Sequence, residues 1–591
     1  MNTPSTLTHP QESRYSIVSS EKSGGAHYTP RNLADFVANQ IAVNVPDTDQ
    51  PIKVLDPATG DGELILALLT ELNKRGMNQV EVYGFDTCSD ALKLAESRIK
   101  KEFPHVALRF TCGSFLDFVL QTYRQELFSL LREDAILFDI VIANPPYVRT
   151  QIMGAKQAQQ IARQFSLSGR VDLYHAFLLA IAEVIKADGI VGIIVSNRFM
   201  TTKSGSAVRQ DILKQFDVQH VWDLGDTKIF AAAVLPAVLL LNKKQTEKKM
   251  IEIRTKDRAA HSSQFTSVYS SKLEGAPAQC ADVMEGVLLS GLIENKNGNK
   301  FFVEHGILDH GQDQSGVWRI KTDTSTDWLA KVKAHTWGKF SDIGKIRVGV
   351  KTTADKIFIR TDWDQMPDNI RPELLKPLIT HHIARRFRSF DVNNGKKILY
   401  PHAVIDGKRT AVLLNDFPHS AQYLEQHRQA LTERTYVIES GRQWYEIWVP
   451  QDPEAWSAPK LVFRDISEQP IFWVDLEGSV VNGDCYWLTC SDPSKENLLW
   501  LALAVGNSTF AEQYYDRCFC NKLYAGRRRF CTQYVEHFPL PDPNNPMSKE
   551  MVRLAKEIYR DPSSPNACCL ESQLDALTWQ AFGISIEEGS R

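Results

Sequence analysis

The sequence predicts an α/β protein that has a doubly wound, mostly parallel sheet and a second, C-terminal domain of mixed α+β structure. Two observations indicate this class. From residue 50 to residue 245, short apolar runs of strand length alternate with longer runs of helical periodicity, as in parallel sheets covered on both faces. After residue 340 the runs become shorter, and aromatic residues and Gly, Pro, Asn and Asp become frequent.

Each predicted element of the first domain has its own pattern. Apolar residues at helical spacing, with Pro30 near the start, predict a helix over residues 32–43. Continuous apolar runs predict the strands, and periodic runs between them predict further helices. The predicted strands are 52–55, 80–85, 108–112, 138–143, 190–196 and 234–241, and the further helices are 64–72, 91–101 and 173–185.

Changes in composition along the chain predict five segments. They are a polar, flexible tail over 1–25, the doubly wound domain over 26–245, a connecting region over 246–339, the mixed domain over 340–545 and a C-terminal helical segment over 546–591.

The overall composition excludes several classes of protein. The chain has 591 residues, of which 43% are hydrophobic and 24% charged, and its net charge is -3. These are globular proportions, so fibrous and disordered chains are excluded. The longest apolar run, 234–241, is far shorter than the roughly 20 residues of a membrane span, and residues 1–23 contain no apolar core of a secretion signal. We therefore expect a cytoplasmic protein with reduced cysteines, whose spacing matches no zinc motif.

The turn after the first predicted strand, residues 56–62, is a candidate ligand site. It lies at the carboxyl edge of the sheet, where doubly wound folds bind ligands. Gly60 and Gly62 allow close approach of the backbone, but Ile65 stands where a dinucleotide motif has its third glycine. Asp56, at the end of the strand, suits a cationic group better than a pyrophosphate.

Asp86 ends the second predicted strand, at the position from which a carboxylate accepts both hydroxyls of a ribose. Together with the turn at Asp56, it indicates an adenosine ligand that carries a charged amino-acid group and no phosphates. S-adenosylmethionine has this chemistry, and a generic nucleotide site is the alternative.

The motif Asn144-Pro145-Pro146-Tyr147 directly follows the fourth predicted strand. The two prolines lack N–H groups and have a fixed φ, so the turn is stiff. The Asn144 side-chain carbonyl and the Pro145 main-chain carbonyl can accept both hydrogens of one planar amino group, which would free its lone pair for a methyl donor. Tyr147 supplies a ring on which a base can stack, worth about 1–3 kcal/mol. A proline-rich loop without function is the alternative.

With these residues the sequence resembles the class I methyltransferases that act on amino nitrogens, and among them the TaqI-type (γ-class) adenine-N6 DNA methyltransferases. The resemblance covers about residues 25–245 and 340–545. It implies a Rossmann-like catalytic domain that binds S-adenosylmethionine and a DNA target-recognition domain. The implied cofactor-binding residues are Tyr28, Thr29, Pro30, Asp56, Ala58, Gly60, Asp61, Gly62, Asp86, Ser114 and Phe115. Ser114 stands where an Asp is usual, so we expect a displaced or weaker contact with the adenine of the cofactor.

The same resemblance implies catalytic roles for Asn144, Pro145, Pro146 and Tyr147. It also implies that Phe230, in the segment 224–230, stacks on the target base opposite Tyr147. The alternative for Phe230 is a core aromatic residue. An adenine in a duplex would first have to be extruded, at a cost of a few kcal/mol. No metal is expected to take part.

Two basic clusters in the second predicted domain are the candidate DNA contacts. They are Arg385, Arg386 and Arg388, and Lys522 with Arg527, Arg528 and Arg529. Arginine can bind phosphates or guanine edges, whereas the alternative is a solvated surface. The resemblance implies duplex DNA as the partner and a cognate restriction endonuclease on a separate chain. We expect a monomer on DNA, because an asymmetric two-domain clamp can close on DNA without a partner.

Two alternatives remain open from the sequence. The same Asn-Pro-Pro-Tyr chemistry serves enzymes that methylate a protein glutamine amide or an RNA amino group, although the large C-terminal half rich in arginine and aromatic residues favours DNA. A catalytically idle binding subunit is the other alternative, and the intact motif at 144–147 disfavours it.

Overall fold

The computed structural model describes residues 28–48, 50–123, 136–147, 155–167, 172–230, 234–245, 262–311, 313–389, 395–519, 522–523 and 526–585. The predicted tail, 1–25, lies outside the described residues. The chain divides into two compact units. The first comprises Met1–Thr322 and Leu523–Gly526, and the second comprises Asp323–Lys522 and Arg527–Arg591.

A twelve-stranded sheet is the frame of the first unit. Its strands are β1 (Ile52–Asp56), β2 (Val80–Asp86), β3 (Ala107–Cys112), β4 (Phe138–Ala143), β5 (Ile185–Ser196), β6 (Phe216–Asp223), β7 (Pro236–Lys243), β8 (Gln264–Ser270), β9 (Ala278–Cys280), β10 (Gly291–Asn295), β11 (Lys300–Asp309) and β12 (Arg319–Lys321). Their order is β3-β2-β1-β4-β5-β7-β6-β8-β11-β10-β9, and β12 pairs with β11.

The half of this sheet from β3 to β5 is parallel throughout. β7 runs antiparallel to both of its neighbours, β5 and β6. Consecutive residues of β1 and β4 are buried, which shows that both faces of the sheet are covered. The predicted doubly wound, mostly parallel sheet is confirmed.

The helices of the first unit lie between these strands. Arg31–Asn44, Glu63–Lys74 and Ser89–Glu102 pack together, and Phe115–Tyr123, Leu173–Val184 and Ser206–Gln215 form a second group. Ala155–Gln164 and the short helices Arg198–Thr201 and Val283–Gly286 complete the described set, with a 3₁₀ turn at Lys203–Gly205.

The sheet continues beyond the predicted end of the first domain. β8 pairs in parallel with β6, and β11 pairs with β8, so the first unit extends to Thr322. The sequence predicted a connecting region over 246–339. The difference arises because only Phe301, Val303 and Leu308 of β11 are buried, and polar residues and a glycine interrupt its apolar ones, so no long apolar run marks the strand.

The second unit contains mixed helices and short strands, as predicted for the C-terminal domain. Its strands are β13 (Gly338–Lys339), β14 (Ile346–Val348), β15 (Ile359–Arg360), β16 (Leu375–Ile379), β17 (Lys397–Leu399), β18 (His402–Ile405), β19 (Lys408–Ala411), β20 (Lys460–Arg464), β21 (Ile466–Ser467), β22 (Phe472–Asp475), β23 (Val480–Val481), β24 (Cys485–Thr489), β25 (Arg528–Arg529) and β26 (Pro539–Leu540). Its helices are Asp323–Ala334, Phe340–Ile343, Asp355–Phe358, Pro418–Gln426, Arg428–Thr432, Thr435–Glu439, Asn497–Gly506, Thr509–Phe519, Thr532–Val535, Pro546–Arg560 and Ala567–Ala581.

The sheet β14-β24-β20-β22 lies between two apolar cores of the second unit. Alternate residues of β20 enter opposite cores. Leu461 and Phe463 pack in the core that contains the helix Asn497–Gly506. Val462 packs with Trp473 in the other core. This alternation is the period of two that a strand buried on both faces requires.

Two properties of the described residues bear on the site. They include no helix that is long and apolar enough to cross a membrane. Nor do they include a group of three or more His, Cys, Asp or Glu side chains that could hold a metal ion.

Candidate functional site

Three predicted site residues meet at one edge of the sheet. Asp56 and Asp86 end β1 and β2, and Asn144 follows the last residue of β4. β1 pairs in parallel with both β2 and β4, so the carboxyl ends of the three strands lie side by side. This is the ligand-binding edge of a doubly wound sheet.

Asp56 is fully buried under the turn that follows β1. Its Oδ1 accepts a hydrogen bond from the Ala58 N–H at 3.0 Å. Among the described residues, its Oδ2 has no hydrogen-bond partner. Burial, reinforced by the nearby carboxylates of Asp86 and Asp61, raises the pKa of Asp56 to about 8. A buried acceptor without a partner is costly, so this oxygen is suited to a cationic or hydrogen-bonding ligand group.

Asp86 connects the turn after β1 with the end of β2. Its Oδ2 accepts from the Gly60 N–H at 2.9 Å, and its Oδ1 accepts from the Cys88 N–H at 2.8 Å. These two bonds fix the orientation of the carboxylate at the carboxyl edge of the sheet. Each of the two Asp86 oxygens keeps a second lone pair, so each can still accept a hydrogen bond from a hydroxyl group.

The helix Glu63–Lys74 starts at Gly62, whose φ of +81° is in the left-handed region. A Cβ at this position would lie 2.9 Å from the Ala95 Cβ, so only glycine fits the close packing of the turn on the next helix. Asp61 is held by Arg98, which donates to its carboxylate at 2.8 Å and to its carbonyl at 2.9 Å. The predicted cofactor residue Asp61 therefore has a cationic partner inside the fold.

The N-terminal motif lies against both halves of the site. The Tyr28 ring lies beside Gly60, at 3.6 Å from where a Cβ would project. Asn144 Nδ2 donates to Thr29 Oγ1 at 3.0 Å. The Pro30 carbonyl accepts the first backbone hydrogen bonds of the helix Arg31–Asn44, at 3.0 and 3.1 Å. The structure thus brings Tyr28, Thr29 and Pro30 to the edge formed by Asp56 and Asn144.

Ser114 and Phe115 begin the helix Phe115–Tyr123. The Ser114 hydroxyl accepts from the Asp117 N–H at 3.3 Å, which is the bond of an N-cap. The Phe115 ring is 1% exposed and packs against Phe85 and Phe177, at centroid distances of 5.5 and 6.0 Å. The Phe115 side chain is therefore part of the core, where its ring packs against other aromatic rings.

Tyr147 and Phe230 are neighbours, although 83 positions of sequence separate them. Their rings meet edge to face, with a centroid distance of 6.3 Å and an angle of 73° between the planes. Phe230 is 5% exposed. The rings are close enough to hold one planar group jointly, but such a group would require at least one of them to turn.

A cleft of about 1030 Å³ in the second unit joins residues from both predicted basic clusters. Its lining includes five arginines and two glutamates, namely Arg385, Arg386, Arg388, Arg464, Arg527, Glu468 and Glu571. Arg386 forms an ion pair with Glu571 at 3.0 Å. Within the part of the chain that the structure describes, the other four arginines have no carboxylate partner. The cleft therefore carries an excess of positive charge.

Arg464 was not among the predicted basic residues. It is the last residue of β20, which lies between β24 and β22, and it lines the cleft together with residues 466–469 and 471, which follow the strand. In the sequence it is a single basic residue beside Asp465, so no local cluster marks it.

Arg528, one of the predicted DNA contacts, lies inside the second unit. This residue is 6% exposed, and its guanidinium pairs with Asp516 at 2.7 Å and with Glu512 at 2.8 Å. Both carboxylates come from the helix Thr509–Phe519. A buried cation needs such partners, and these two carboxylates hold the Arg528 guanidinium inside the second unit.

Lys522 and Arg529 are also paired with carboxylates. Lys522 lies 3.0 Å from Asp516, and Arg529 donates two hydrogen bonds to Asp465, at 3.0 and 3.1 Å. Of the second predicted cluster, Arg527 is the residue that lines the cleft.

Comparisons with known proteins match both units. A family model described as Eco57I restriction-modification methylase matches residues 66–230, and one described as TaqI-like C-terminal specificity domain matches residues 404–540. The type II methyltransferase M.BanIII of Aneurinibacillus aneurinilyticus is 36% identical, over 95% of this chain and 98% of its own. The type II methyltransferase M.BstVI of Geobacillus stearothermophilus is 25% identical, over 90% and 92%.

Among solved structures, the ATP-dependent type ISP restriction-modification enzyme LlaBIII bound to DNA aligns with 93% of this chain and 41% of its own. The sequence identity is 12% and the TM-score is 0.48, a likeness too distant to bear on function.

Proposed function

Because this chain belongs to the TaqI-like type II DNA methyltransferases, we propose that it transfers a methyl group from S-adenosylmethionine to N6 of an adenine in duplex DNA. The observation that carries the proposal is the position of Asn144. It is hydrogen-bonded to Thr29 of the N-terminal motif and directly precedes the turn that presents Tyr147 beside Phe230. A residue that binds an amino group is thus held between the cofactor edge and a pair of aromatic rings.

The residues at the sheet edge fit this cofactor. Asp56 Oδ2, buried and without a hydrogen-bond partner among the described residues, suits the cationic amino-acid group, and Asp86 suits the ribose. The turn through Gly60 and Gly62 allows a close approach of the backbone. When bound, the cofactor supplies a methyl group activated by its positively charged sulfur.

Asn144 and Pro145 act on the amino group. The Asn144 side-chain carbonyl and the Pro145 main-chain carbonyl accept its two hydrogens, which turns the nitrogen lone pair out of conjugation and towards the methyl group. The bond between Asn144 and Thr29 fixes the plane of the amide before substrate binds. Catalysis then consists mainly of positioning, which can supply several kcal/mol.

Tyr147 and Phe230 hold the adenine outside the duplex. Extrusion of a base costs a few kcal/mol, and stacking on an aromatic ring returns about 1–3 kcal/mol per base. The neighbouring positions of the two rings support this role. Phe230 would then stack on the base in addition to its packing against the core.

The arginine cleft of the second unit supports DNA as the substrate. Arg385, Arg388, Arg464 and Arg527 carry charge that no described carboxylate neutralises. Such groups bind phosphates and release counterions, so their contribution weakens as salt increases. We also propose that the protein acts on DNA as a monomer and that a cognate endonuclease is a separate chain.

The substitution Asn144→Ala tests the proposed role of the motif. It removes the acceptor for the amino group and leaves Asp56 and Asp86 in place. We expect the rate of methyl transfer from labelled cofactor to unmodified duplex DNA to fall by at least about a thousand-fold, which corresponds to ~4 kcal/mol. Cofactor affinity, measured by titration calorimetry, should change by less than about three-fold. A variant that transfers methyl groups at the wild-type rate would contradict the role of Asn144.

A further inference from the structure

The segment that carries Phe230 is tied to β8, a strand that contributes none of the predicted site residues. Residues 224–230, here called the Phe230 loop, follow β6 directly. The Leu224 N–H donates to the Pro236 carbonyl at 3.0 Å, and the Thr227 hydroxyl donates to the Leu224 carbonyl at 2.6 Å. These bonds shape the start of the loop, and two carboxylates then fix it to its surroundings.

The first carboxylate is that of Asp223, which is fully buried at the end of β6. Its Oδ2 accepts from the Tyr269 hydroxyl of β8 at 2.6 Å. Its Oδ1 accepts from Asn197 Nδ2 at 2.9 Å and from the Gly225 N–H at 3.2 Å. Asp223 therefore binds β8 and the start of the Phe230 loop at once.

The second carboxylate is that of Asp226, which is 5% exposed and lies within the loop. Its Oδ1 accepts from the Ser270 N–H at 2.8 Å, and its Oδ2 accepts from the Ser270 hydroxyl. Two consecutive residues of β8, Tyr269 and Ser270, thus hold carboxylates on either side of Gly225. Hydrogen bonds to a charged acceptor are stronger than neutral ones.

Gly225 brings the loop into direct contact with β8. Its φ is +44°, and a Cβ there would lie 2.4 Å from the Val268 carbonyl oxygen and 2.7 Å from the Tyr269 ring. The backbone of the loop therefore packs on the strand without room for a side chain. Such close packing transmits a displacement of β8 to the loop.

We propose that Tyr269 and Ser270 are positioning residues that hold the Phe230 loop so that Phe230 stays beside Tyr147 for the extruded base. This inference rests on the proposed function, which assigns Phe230 to that base. It gives β8 a part in catalysis even though the strand does not reach the reacting atoms.

The substitution Tyr269→Phe tests the inference in the full-length protein. It removes the hydroxyl bonded to Asp223 and keeps the ring that packs on Gly225. We expect a single-turnover methylation rate about ten-fold lower than that of wild type, which corresponds to ~1.4 kcal/mol of lost positioning. Fluorescence of 2-aminopurine at the target position should rise less on binding than with wild type. Cofactor affinity should stay unchanged, because the cofactor edge is not altered.

Tyr123→Phe is the matched control. Its hydroxyl donates one hydrogen bond, to the Ile136 carbonyl at 2.5 Å, in the same unit, and neither residue belongs to the Phe230 loop or to β8. It should lower the thermal midpoint as Tyr269→Phe does, and leave the methylation rate and the 2-aminopurine signal at wild-type values. Equal losses of rate in both variants would show a general effect of stability and overturn the inference.

A double-mutant cycle separates action through Phe230 from a direct effect on the fold. If Tyr269 works through Phe230, Tyr269→Phe should lower the rate about ten-fold in the wild-type background and have almost no effect in a Phe230→Ala background. An equal loss in both backgrounds, or no loss in either, would overturn the inference. Failure of the proposed function would look different, because wild-type protein itself would neither methylate DNA adenine nor raise the 2-aminopurine signal.

Discussion

Asp56 is the residue whose surroundings give the clearest dependence on pH. Its buried carboxyl has a pKa raised from 3.8 to about 8, so between these values the folded protein holds a proton that the unfolded chain has released. The contribution of Asp56 to the free energy of unfolding therefore decreases as pH rises through this window, and it levels off above pH 8. Asparagine at this position does not titrate, so it causes no such decrease in the free energy of unfolding.

The variant Asp56→Asn should gain stability relative to wild type as pH rises. The thermal midpoint of the variant minus that of wild type should increase steadily from pH 5 to pH 8, measured without cofactor by scanning calorimetry. Asp90→Asn, at an exposed position on the helix Ser89–Glu102, is the control, and its difference from wild type should not grow over this range. A difference for Asp56→Asn that does not depend on pH would contradict the burial of a protonated carboxyl.

The sequence was informative about polar residues at the carboxyl ends of strands and uninformative about which arginines of a cluster have partners inside the fold. Asp56, Asp86 and Asn144 could be placed together because parallel strands present their carboxyl ends at one edge. The sequence could not distinguish Arg528 from Arg527 and Arg529. Its partners Glu512 and Asp516 lie on a separate helix, and only the fold brings them to it.

Among the elements, the helix Glu63–Lys74 has a glycine with positive φ at each end. Gly62 and Gly76 lie at the two ends of this helix with nearly equal φ, +81° and +79°. They differ in their surroundings, because a Cβ at Gly62 would lie 2.9 Å from the Ala95 Cβ and a Cβ at Gly76 would have nothing within 4 Å. Substitutions at Gly62 and Gly76 therefore separate the cost of backbone strain, which both share, from the cost of steric overlap, which only Gly62 has.

We expect Gly76→Ala to lower the free energy of unfolding by about 1 kcal/mol, the cost of a left-handed conformation. Gly62→Ala should lower it by about 1–3 kcal/mol more, because the added methyl group overpacks the contact with the helix Ser89–Glu102. Denaturant unfolding measures both values, and cofactor titration should show weaker binding for Gly62→Ala alone. Equal losses of stability would contradict the tight packing of the turn.

Whether an element could be predicted depended on how it is buried. β1 and β4 are buried on both faces and appear in the sequence as continuous apolar runs. β6 contains polar residues between its apolar ones, and only three of the ten residues of β11 are buried, so neither was predicted. The Phe230 loop was identified by its resemblance, but its attachment to β8 depends on pairing between strands that are distant in sequence.

The charge distribution of the second unit predicts that the affinity for DNA depends on the salt concentration. Arg527 lines the cleft without a described carboxylate partner. Arg527→Ala should weaken binding of duplex DNA and reduce the slope of log affinity against log salt by about 0.9, the value for one lost phosphate contact. Fluorescence anisotropy over a series of salt concentrations measures both quantities.

Arg553→Ala is the control for this experiment. Arg553 is an exposed arginine on the helix Pro546–Arg560 and is paired with Glu550 and Glu557 at 2.7 and 2.6 Å. Its substitution should change neither the affinity nor the slope. The cleft would lose its assigned role if Arg527→Ala and Arg553→Ala bound DNA with the same salt dependence.

The sequence predicted two domains of the correct classes, but it could not supply the arginine cleft. Its lining comes from four separated segments, 384–389, 464–471, Arg527 and 562–571. No local pattern links them, because only the packing of β20 and the C-terminal helices brings them together. The net charge of -3 over the whole chain gives no sign of this local excess of positive charge.

The central claim is that this protein methylates adenine N6 in DNA, and the most direct measurement identifies the product. Purified protein would be incubated with S-adenosylmethionine and unmodified duplex DNA, with Asn144→Ala in parallel, and the DNA digested to nucleosides for mass spectrometry. We predict N6-methyladenine from wild-type protein and none from the variant. Methylcytosine as the product, or unmodified DNA alongside a methylated RNA or protein glutamine, would contradict the claim.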